Sequence, residues 1–159
     1  MTEQCQHQTG MEAVILIGLQ ATGKSTFVKQ RLYDTHLRLN LDMLKTRHRE
    51  ALLLNCCIQA KQSFVVDNTN PTATDRARYI QPAKAAGFKI VGYYFSSKLE
   101  DALVRNTHRP THQQVPDAGL RATLRKLERP SYKEGFDHLY YVSLDTAAGF
   151  LIQEWQREV

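Results

Sequence analysis

The sequence lacks several features that would place the protein in particular classes. It has no uninterrupted apolar run of the roughly 18 residues that a membrane-spanning helix needs. Its first residues, MTEQCQHQTG, lack the apolar core of a secretion signal. Only 3 of its 159 residues are cysteine, and their spacing fits neither a disulfide framework nor a metal site. We therefore expect a cytoplasmic protein that makes no contact with a membrane.

Composition and charge are those of one globular domain. Hydrophobic residues make up 42% of the chain and charged residues 23%, and the formal net charge is +5. The positive charge is compatible with an acidic partner such as nucleic acid, although many basic proteins bind none. No internal repeat or low-complexity tract is present. We expect a flexible tail over residues 1–12 and a single domain over residues 13–159.

Short apolar runs alternate with longer segments of helical pattern, which predicts a parallel α/β sheet flanked by helices. The predicted strands are Ala13–Ile17, His36–Leu41, Phe64–Asp67, Lys89–Phe95 and His138–Ser143. The predicted helices are Lys24–Leu32, Asp42–Lys61, Thr74–Ala86, Lys98–Asn106, Asp117–Leu127 and Ala147–Arg157.

Two of these helices have notable residues. Pro82 lies inside the third helix, where a proline removes a backbone hydrogen bond, and we expect a kink there. In the last helix, Phe150, Leu151 and Trp155 recur at helical spacing, which predicts that they pack in the core.

The stretch GLQATGKST fits the phosphate-binding pattern G-x-x-x-x-G-K-[ST] and stands between a predicted strand and a predicted helix. Its glycines let successive N–H groups point at phosphate oxygens, and the helix adds its positive N-terminal end. Lys24 supplies a charge for the β- and γ-phosphates, and the Ser25 hydroxyl can coordinate Mg²⁺. The pattern predicts ATP and Mg²⁺ as cofactors. The predicted ATP-binding residues of the loop are Gly18, Leu19, Gln20, Ala21, Thr22, Gly23, Lys24, Ser25 and Thr26.

Two carboxylates follow predicted strands. Asp67 ends the apolar run SFVVD, and Asp42 follows the run LRLNL. Ligands of open α/β sheets bind at the carboxyl edge of the sheet, so both side chains are candidates for the site. Asp42 also fits the N-cap of the helix that follows it, and this role is compatible with a catalytic one.

Several motifs together resemble a known family. GLQATGKST is followed by NLD, then by VVDNTNP with RARYIQPAKAAG, RNTHR, VP and EGFD, in that order. The chain from Val14 to about Val142 resembles the kinase domain of polynucleotide 5′-hydroxyl kinases, both the bacteriophage type and the kinase half of animal end-repair enzymes. The resemblance implies a P-loop NTPase-type parallel sheet with a small helical lid over about residues 105–130.

The resemblance also assigns roles to residues. Asp42 stands where the family has its catalytic aspartate, which would accept the proton of the attacking hydroxyl. Arg105 and Arg109 match two lid arginines that close over ATP, and with Lys24 we place Arg109 among the catalytic residues. Asp67 matches an aspartate of the acceptor site. The alternative for the two arginines is that they line a solvated helix face.

Lys45 and Arg49 complete the predicted acceptor-binding set. Lys45 stands where the phage enzyme has a phosphate-binding arginine, and a lysine keeps the charge but loses the bidentate fork. Within one helix, Asp42, Lys45 and Arg49 would share a stripe that places positive charge beside the base. The alternative is a solvated face. His108 and His112 have the spacing of a helical metal pair, but a third ligand is not evident, so we predict no metal there.

The leading hypothesis is ATP-dependent phosphorylation of the 5′-hydroxyl end of DNA or RNA. A small-molecule kinase acting on a sugar, antibiotic or metabolite alcohol is the alternative, and a nucleotide-binding regulatory module is a third possibility. Family members are often fused to a phosphatase or a ligase, and 159 residues leave no room for either. The sequence does not decide between DNA and RNA, and it does not give the oligomeric state.

Overall fold

The computed structural model describes residues 10–145 and 147–156. Most of the predicted N-terminal tail, residues 1–9, lies outside the described part of the chain, as does Arg157 at the end of the last predicted helix. Glu12, which we assigned to the tail, already belongs to the first strand. Among the described residues, none of the helices is both long and apolar enough to cross a membrane.

The described residues form six strands and six α-helices in an alternating order. The strands are β1 Glu12–Ile17, β2 Leu37–Leu39, β3 Phe64–Val66, β4 Lys89–Phe95, β5 His138–Asp145 and β6 Gly149–Glu154. The helices are α1 Lys24–Arg31, α2 Leu41–Leu44, α3 Arg47–Ala60, α4 Ala73–Ala85, α5 Leu99–Thr107 and α6 Asp117–Lys126. Short 3₁₀ turns lie at Thr111–Gln113 and Tyr132–Glu134.

The strands form one sheet in the order β2-β3-β1-β4-β5-β6. The first five are parallel to their neighbours, and β6 pairs antiparallel with β5. The predicted parallel α/β sheet flanked by helices is therefore confirmed for five strands, and the sixth is an antiparallel addition. The carboxyl ends of β1, β2 and β3 meet at one edge of the sheet.

The central strand β1 is apolar because helices cover both faces of the sheet. Ala13, Ile15 and Ile17 face a core to which α3 and α4 contribute. Val14 and Leu16 face a second core, to which α1 contributes. Burial on both faces fixes the register of β1, and with it the position of the loop that follows.

The predicted helix Asp42–Lys61 is wrong as one element, because it consists of α2 and α3. Lys45 ends α2 with a φ of 73°, a conformation that α-helices do not contain. The Thr46 side chain then caps α3 by accepting a hydrogen bond from the Arg49 backbone N–H at 3.2 Å. The threonine that follows the end of α2 is the local signal for the start of α3.

The predicted helix Ala147–Arg157 is also wrong, because its centre forms β6. The antiparallel register pairs Val142 with Ile152, and successive side chains point to opposite faces. Phe150 is 8% exposed and packs in the core, whereas Leu151 is 42% exposed. The core prediction thus holds for Phe150 and for the partly buried Trp155 but is wrong for Leu151. Pro82, where we expect a kink, lies inside α4, and this helix runs as one element from Ala73 to Ala85.

Gly92 in β4 provides a test of core packing. A Cβ atom at this position would lie 2.6 Å from both Leu139 Cδ1 and Phe136 Cε1. We expect Gly92→Ala to lower the free energy of unfolding by roughly 1–3 kcal/mol, because the buried neighbours must shift. Urea unfolding measures this, with Gly10→Ala as the control because no atom lies within 4 Å of the added Cβ there. Equal free energies of unfolding for Gly92→Ala and Gly10→Ala would contradict the close packing around Gly92.

Candidate functional site

The predicted phosphate loop connects β1 to α1 at the carboxyl edge of the sheet. Gly23 precedes α1 with a φ of 95°, a conformation that glycine adopts at little cost. A Cβ atom there would also lie 3.1 Å from the Phe150 ring. The Gly18 backbone N–H donates to the Thr69 carbonyl at 3.0 Å, which ties the loop to the segment after β3. The N-terminal turn of α1 therefore lies at the carboxyl edge of the sheet, next to the phosphate loop.

Lys24 is buried within this loop. Its ammonium donates to the carbonyl oxygens of Gly18 and Leu19. Burial, together with a smaller effect of the charge of Arg109, lowers the pKa of Lys24 to about 8, although Asp67 and Asp42 act to raise it. The charges of three other predicted site residues therefore act on the pKa of Lys24, although these residues come from distant parts of the chain.

Ser25 and Asp67 meet at the edge of the sheet. The Ser25 hydroxyl donates a 2.9 Å hydrogen bond to Asp67 Oδ2, and Asp67 is buried. A hydroxyl beside a carboxylate is an oxygen donor set that suits Mg²⁺, which binds through few protein ligands together with substrate phosphates. Within residues 10–145 and 147–156 no group of three or more His, Cys, Asp or Glu side chains is arranged to hold a metal. The donors present thus fit a metal that arrives with a nucleotide.

Asp42 lies exposed on α2, next to the end of β2. The N-cap of α2 is Asn40, whose side chain accepts from the Met43 backbone N–H, so the expected capping role of Asp42 is wrong. Asn40 also donates to the Asp67 carbonyl at 2.6 Å. The Leu41 backbone N–H donates to the Asn68 side chain at 3.0 Å. These bonds hold the short helix of Asp42 against the end of β3.

Glu50 forms a buried cluster behind α2. It accepts from the Arg47 guanidinium at 2.8 Å, from the Tyr79 hydroxyl at 2.8 Å and from the Asn68 amide at 3.1 Å. Burial, followed by the charge of Glu50, raises the pKa of Tyr79 to about 12. The hydrogen bond to Glu50 fixes the Asn68 side chain, which accepts the bond from the Leu41 backbone N–H at the first turn of α2.

Arg76 is completely buried and ties several loops together. Its guanidinium forms two hydrogen bonds to Glu134, at 2.7 and 3.1 Å. It also donates to the carbonyls of Asn70, Pro71 and Glu128. Asn70 in turn donates to the Leu16 carbonyl at the end of β1. Asn70 of the DNTNP motif and Arg76 of the RARY motif therefore support the structure of the sheet edge.

The helices α5 and α6 lie over the phosphate loop, in the region where we expect a lid. Leu19 of the loop is fully buried with Ala102 of α5 and Leu120 of α6. The Gln20 amide donates to the Thr123 hydroxyl of α6 at 3.0 Å. The two helices are thus docked on the loop through apolar and polar contacts.

The two candidate lid arginines occupy different elements. Arg105 lies on α5, whereas the helix ends at Thr107 and Arg109 follows in the loop. A shared solvated helix face is therefore wrong for this pair, and Arg109 contributes its charge near Lys24. His112 lies in a 3₁₀ turn, so it does not share a helix with His108.

The predicted stripe of Asp42, Lys45 and Arg49 is wrong, because the break between α2 and α3 separates the three residues. Lys45 and Arg49 are both exposed. The Arg49 guanidinium folds back to the Leu44 carbonyl at the end of α2, at 3.2 Å. Their acceptor-binding role stays a prediction that no longer has the support of a common helix face.

Sequence reasoning missed Arg38, Asn40 and Asn68. Arg38 donates to Asp67 at 2.8 Å, and the two asparagines position α2. The available signal for Arg38 and Asn40 was the run LRLNL, in which polar residues alternate with apolar ones along the edge strand β2. A polar side chain at the carboxyl end of such a strand indicates a position near the site.

Comparisons with known proteins agree with this fold. The family described as AAA domain matches residues 44–130, just over half of the chain. A Schizosaccharomyces pombe protein named bifunctional polynucleotide phosphatase/kinase is 28% identical over 141 residues, which cover 86% of this chain and 34% of that protein. The chain thus spans about a third of the length of this curated relative.

Solved structures show the same fold at low identity. Chaetomium thermophilum Kti12, solved in complex with ADP-AlF3, matches with a TM-score of 0.64 and 14% identity over 86% of this chain and 92% of that one. A gluconokinase from Sinorhizobium meliloti matches with a TM-score of 0.58 and 17% identity over 83% of this chain and 82% of that one.

The family match begins at residue 44 and therefore lies after the phosphate loop. The phosphate loop and the family match are therefore independent observations. A P-loop in this fold implies that the domain binds ATP. The chain belongs to the AAA domain family, and its fold is that of a P-loop kinase domain.

Proposed function

We propose that this domain transfers the γ-phosphate of ATP to the 5′-hydroxyl end of DNA or RNA. One observation carries the proposal: the exposed carboxylate of Asp42 lies at the same sheet edge as the buried Lys24, and its charge acts to raise the pKa of Lys24. A base facing solvent beside a phosphate loop suits an acceptor that enters from outside. The name of the S. pombe relative supports a polynucleotide as that acceptor.

Each predicted site residue has its own role in the proposed phosphoryl transfer. The backbone N–H groups of the loop and Lys24 hold the β- and γ-phosphates. Arg109 neutralises charge on the transferring group, and Arg105 contacts ATP from α5. Asp42 accepts the hydroxyl proton, and Asp67 supports the acceptor side. Ser25 would hold Mg²⁺, which supplies charge neutralisation across the phosphates when bound.

A small-molecule kinase remains the second candidate, because of one observation. Lys45 and Arg49 do not share a helix face with Asp42, which weakens the argument that positive charge surrounds the base. A neutral sugar alcohol would need no such charge. The two candidates differ in the acceptor alone and share the ATP site.

The deciding assay incubates the protein with γ-labelled ATP, Mg²⁺ and acceptors of each class. Label should enter oligonucleotides with 5′-hydroxyl ends, and matched oligonucleotides with 5′-phosphate ends should stay unlabelled. DNA and RNA versions of one sequence compare the two polymers. Faster turnover of a sugar alcohol than of any oligonucleotide would favour the small-molecule kinase.

Salt dependence gives a separate test of the acceptor. If basic side chains contact about three phosphates of a single strand, the acceptor KM should rise about tenfold between about 50 and about 150 mM salt, because each contact releases condensed counterions. Acceptor is varied at saturating ATP, since ATP binding is itself sensitive to salt. We expect Lys45→Ala to flatten the slope by somewhat less than about one unit and Lys29→Ala, on the outer face of α1, to leave it unchanged. A flat salt response in the wild type would contradict a polynucleotide acceptor.

The lowered pKa of Lys24 predicts a pH dependence of nucleotide affinity. The folded pKa of about 8 means that the ammonium is charged below this pH and loses its proton above it. Bound phosphate favours the charged form, so we expect the Kd for ADP to rise about tenfold from about pH 7 to about pH 9. Calorimetry across this range measures the change. Lys24→Arg is the control, because arginine stays protonated, and a pH-dependent Kd of equal slope in this variant would contradict the assignment.

A further inference from the structure

Arg38 at the end of β2 contacts both protein groups that suit the metal. Its Nε donates to Asp67 Oδ2 at 2.8 Å, and its Nη2 lies 2.8 Å from the same oxygen. The same Nη2 donates to Ser25 Oγ at 3.3 Å. The hydroxyl of Ser25 donates to that carboxylate oxygen as well. One guanidinium therefore joins the serine and the aspartate.

This arrangement conflicts with a divalent cation at Ser25. Mg²⁺ binds oxygen ligands at about 2.0–2.1 Å, so an ion on Ser25 Oγ would lie within a few ångströms of the guanidinium. Two positive groups at that separation repel each other strongly in a partly buried site. The ion and the guanidinium also require the same lone pairs of Ser25 Oγ.

The exposure of the side chains decides which group moves. The Asp67 side chain is 2% exposed and fixed at the end of β3, whereas the Arg38 side chain is 34% exposed. The long arginine stem can rotate its charged end into solvent while the stem stays on the sheet edge. Displacement of Arg38 therefore needs no change in the fold.

We infer that Arg38 is a displaceable counter-ion of the magnesium site. It satisfies the buried carboxylate of Asp67 in the metal-free protein and competes with Mg²⁺ at Ser25. This inference rests on the proposed function, because it takes a Mg²⁺-nucleotide as the ligand. Arg38 thereby raises the Mg²⁺ concentration that nucleotide binding requires.

The test measures the Kd for ADP by calorimetry across a series of Mg²⁺ concentrations, with no acceptor and no transfer. We expect Arg38→Ala to lower the Mg²⁺ midpoint on the order of tenfold, the effect of removing charge-assisted hydrogen bonds that the ion must otherwise break. Arg78→Ala is the matched control, because Arg78 is an exposed arginine on α4. It should leave the midpoint unchanged.

A second variant guards against misfolding, since Arg38→Ala leaves the buried Asp67 with the Ser25 hydroxyl but without a charged partner. Arg38→Lys keeps one charge but cannot bridge Ser25 and Asp67 as a fork. We expect it to lower the midpoint less than Arg38→Ala does, and thermal unfolding confirms that each variant is folded. An unchanged or higher midpoint in the folded variants overturns the inference, and a higher one would make Arg38 a phosphate ligand. Absence of Mg²⁺-dependent ADP binding in the wild type would remove the proposed function and this inference with it.

Discussion

Asp42→Asn should lower the rate of phosphoryl transfer by roughly 10²–10⁴ while ATP still binds, because an amide cannot accept the proton of the attacking hydroxyl. The substitution preserves the size of the side chain. Since Asn40, and not Asp42, caps α2, the fold should be unaffected. Single-turnover transfer to a 5′-hydroxyl oligonucleotide measures the rate, and ATP binding is measured separately.

The structure makes the control for this variant clear. Asp34 is an exposed aspartate beyond the end of α1, so Asp34→Asn changes the net charge equally and should leave transfer unchanged. Wild-type transfer by Asp42→Asn would exclude Asp42 as the base. A lower melting temperature with unchanged specific activity would make Asp42 a structural residue.

Lys24→Ala should abolish detectable transfer, whatever the acceptor, because its charge stabilises the transferring phosphoryl group. The lysine is buried with a pKa of about 8, so its charge is held in the loop at an energetic cost in the absence of phosphate. Removing that charge should therefore leave the melting temperature within a few degrees of the wild type. Transfer assays and thermal unfolding, run on the same preparations, measure both effects.

The neighbouring helix supplies the comparison. Lys29 is an exposed lysine further along α1, and Lys29→Ala should retain transfer. Normal turnover by a folded Lys24→Ala variant would remove the kinase function for both acceptor classes. A loss of transfer in both variants would show that the effect belongs to α1 as a whole.

Local sequence patterns predicted much of the fold. The five parallel strands lie within two residues of their predicted bounds. β1, β3 and β4 are buried on both faces and therefore read as apolar runs. The phosphate loop was also predictable, since its backbone conformation requires glycine at fixed spacing. β6 was missed because Leu151 and Trp155 are four residues apart, a spacing that places both on one face of a helix, whereas pairing with β5 selects the strand.

Some features of the site depend on residues close together in the chain, and others depend on contacts between distant segments. The sequence by itself determined the phosphate loop, Lys24 and the two carboxylates that follow strands, because these depend on residues near one another in the chain. Tertiary structure alone decided that Arg109, far along the chain, lies near Lys24. It also decided that Arg38 joins Ser25 to Asp67, since this contact depends on the pairing of β2 with β3, which no local pattern encodes.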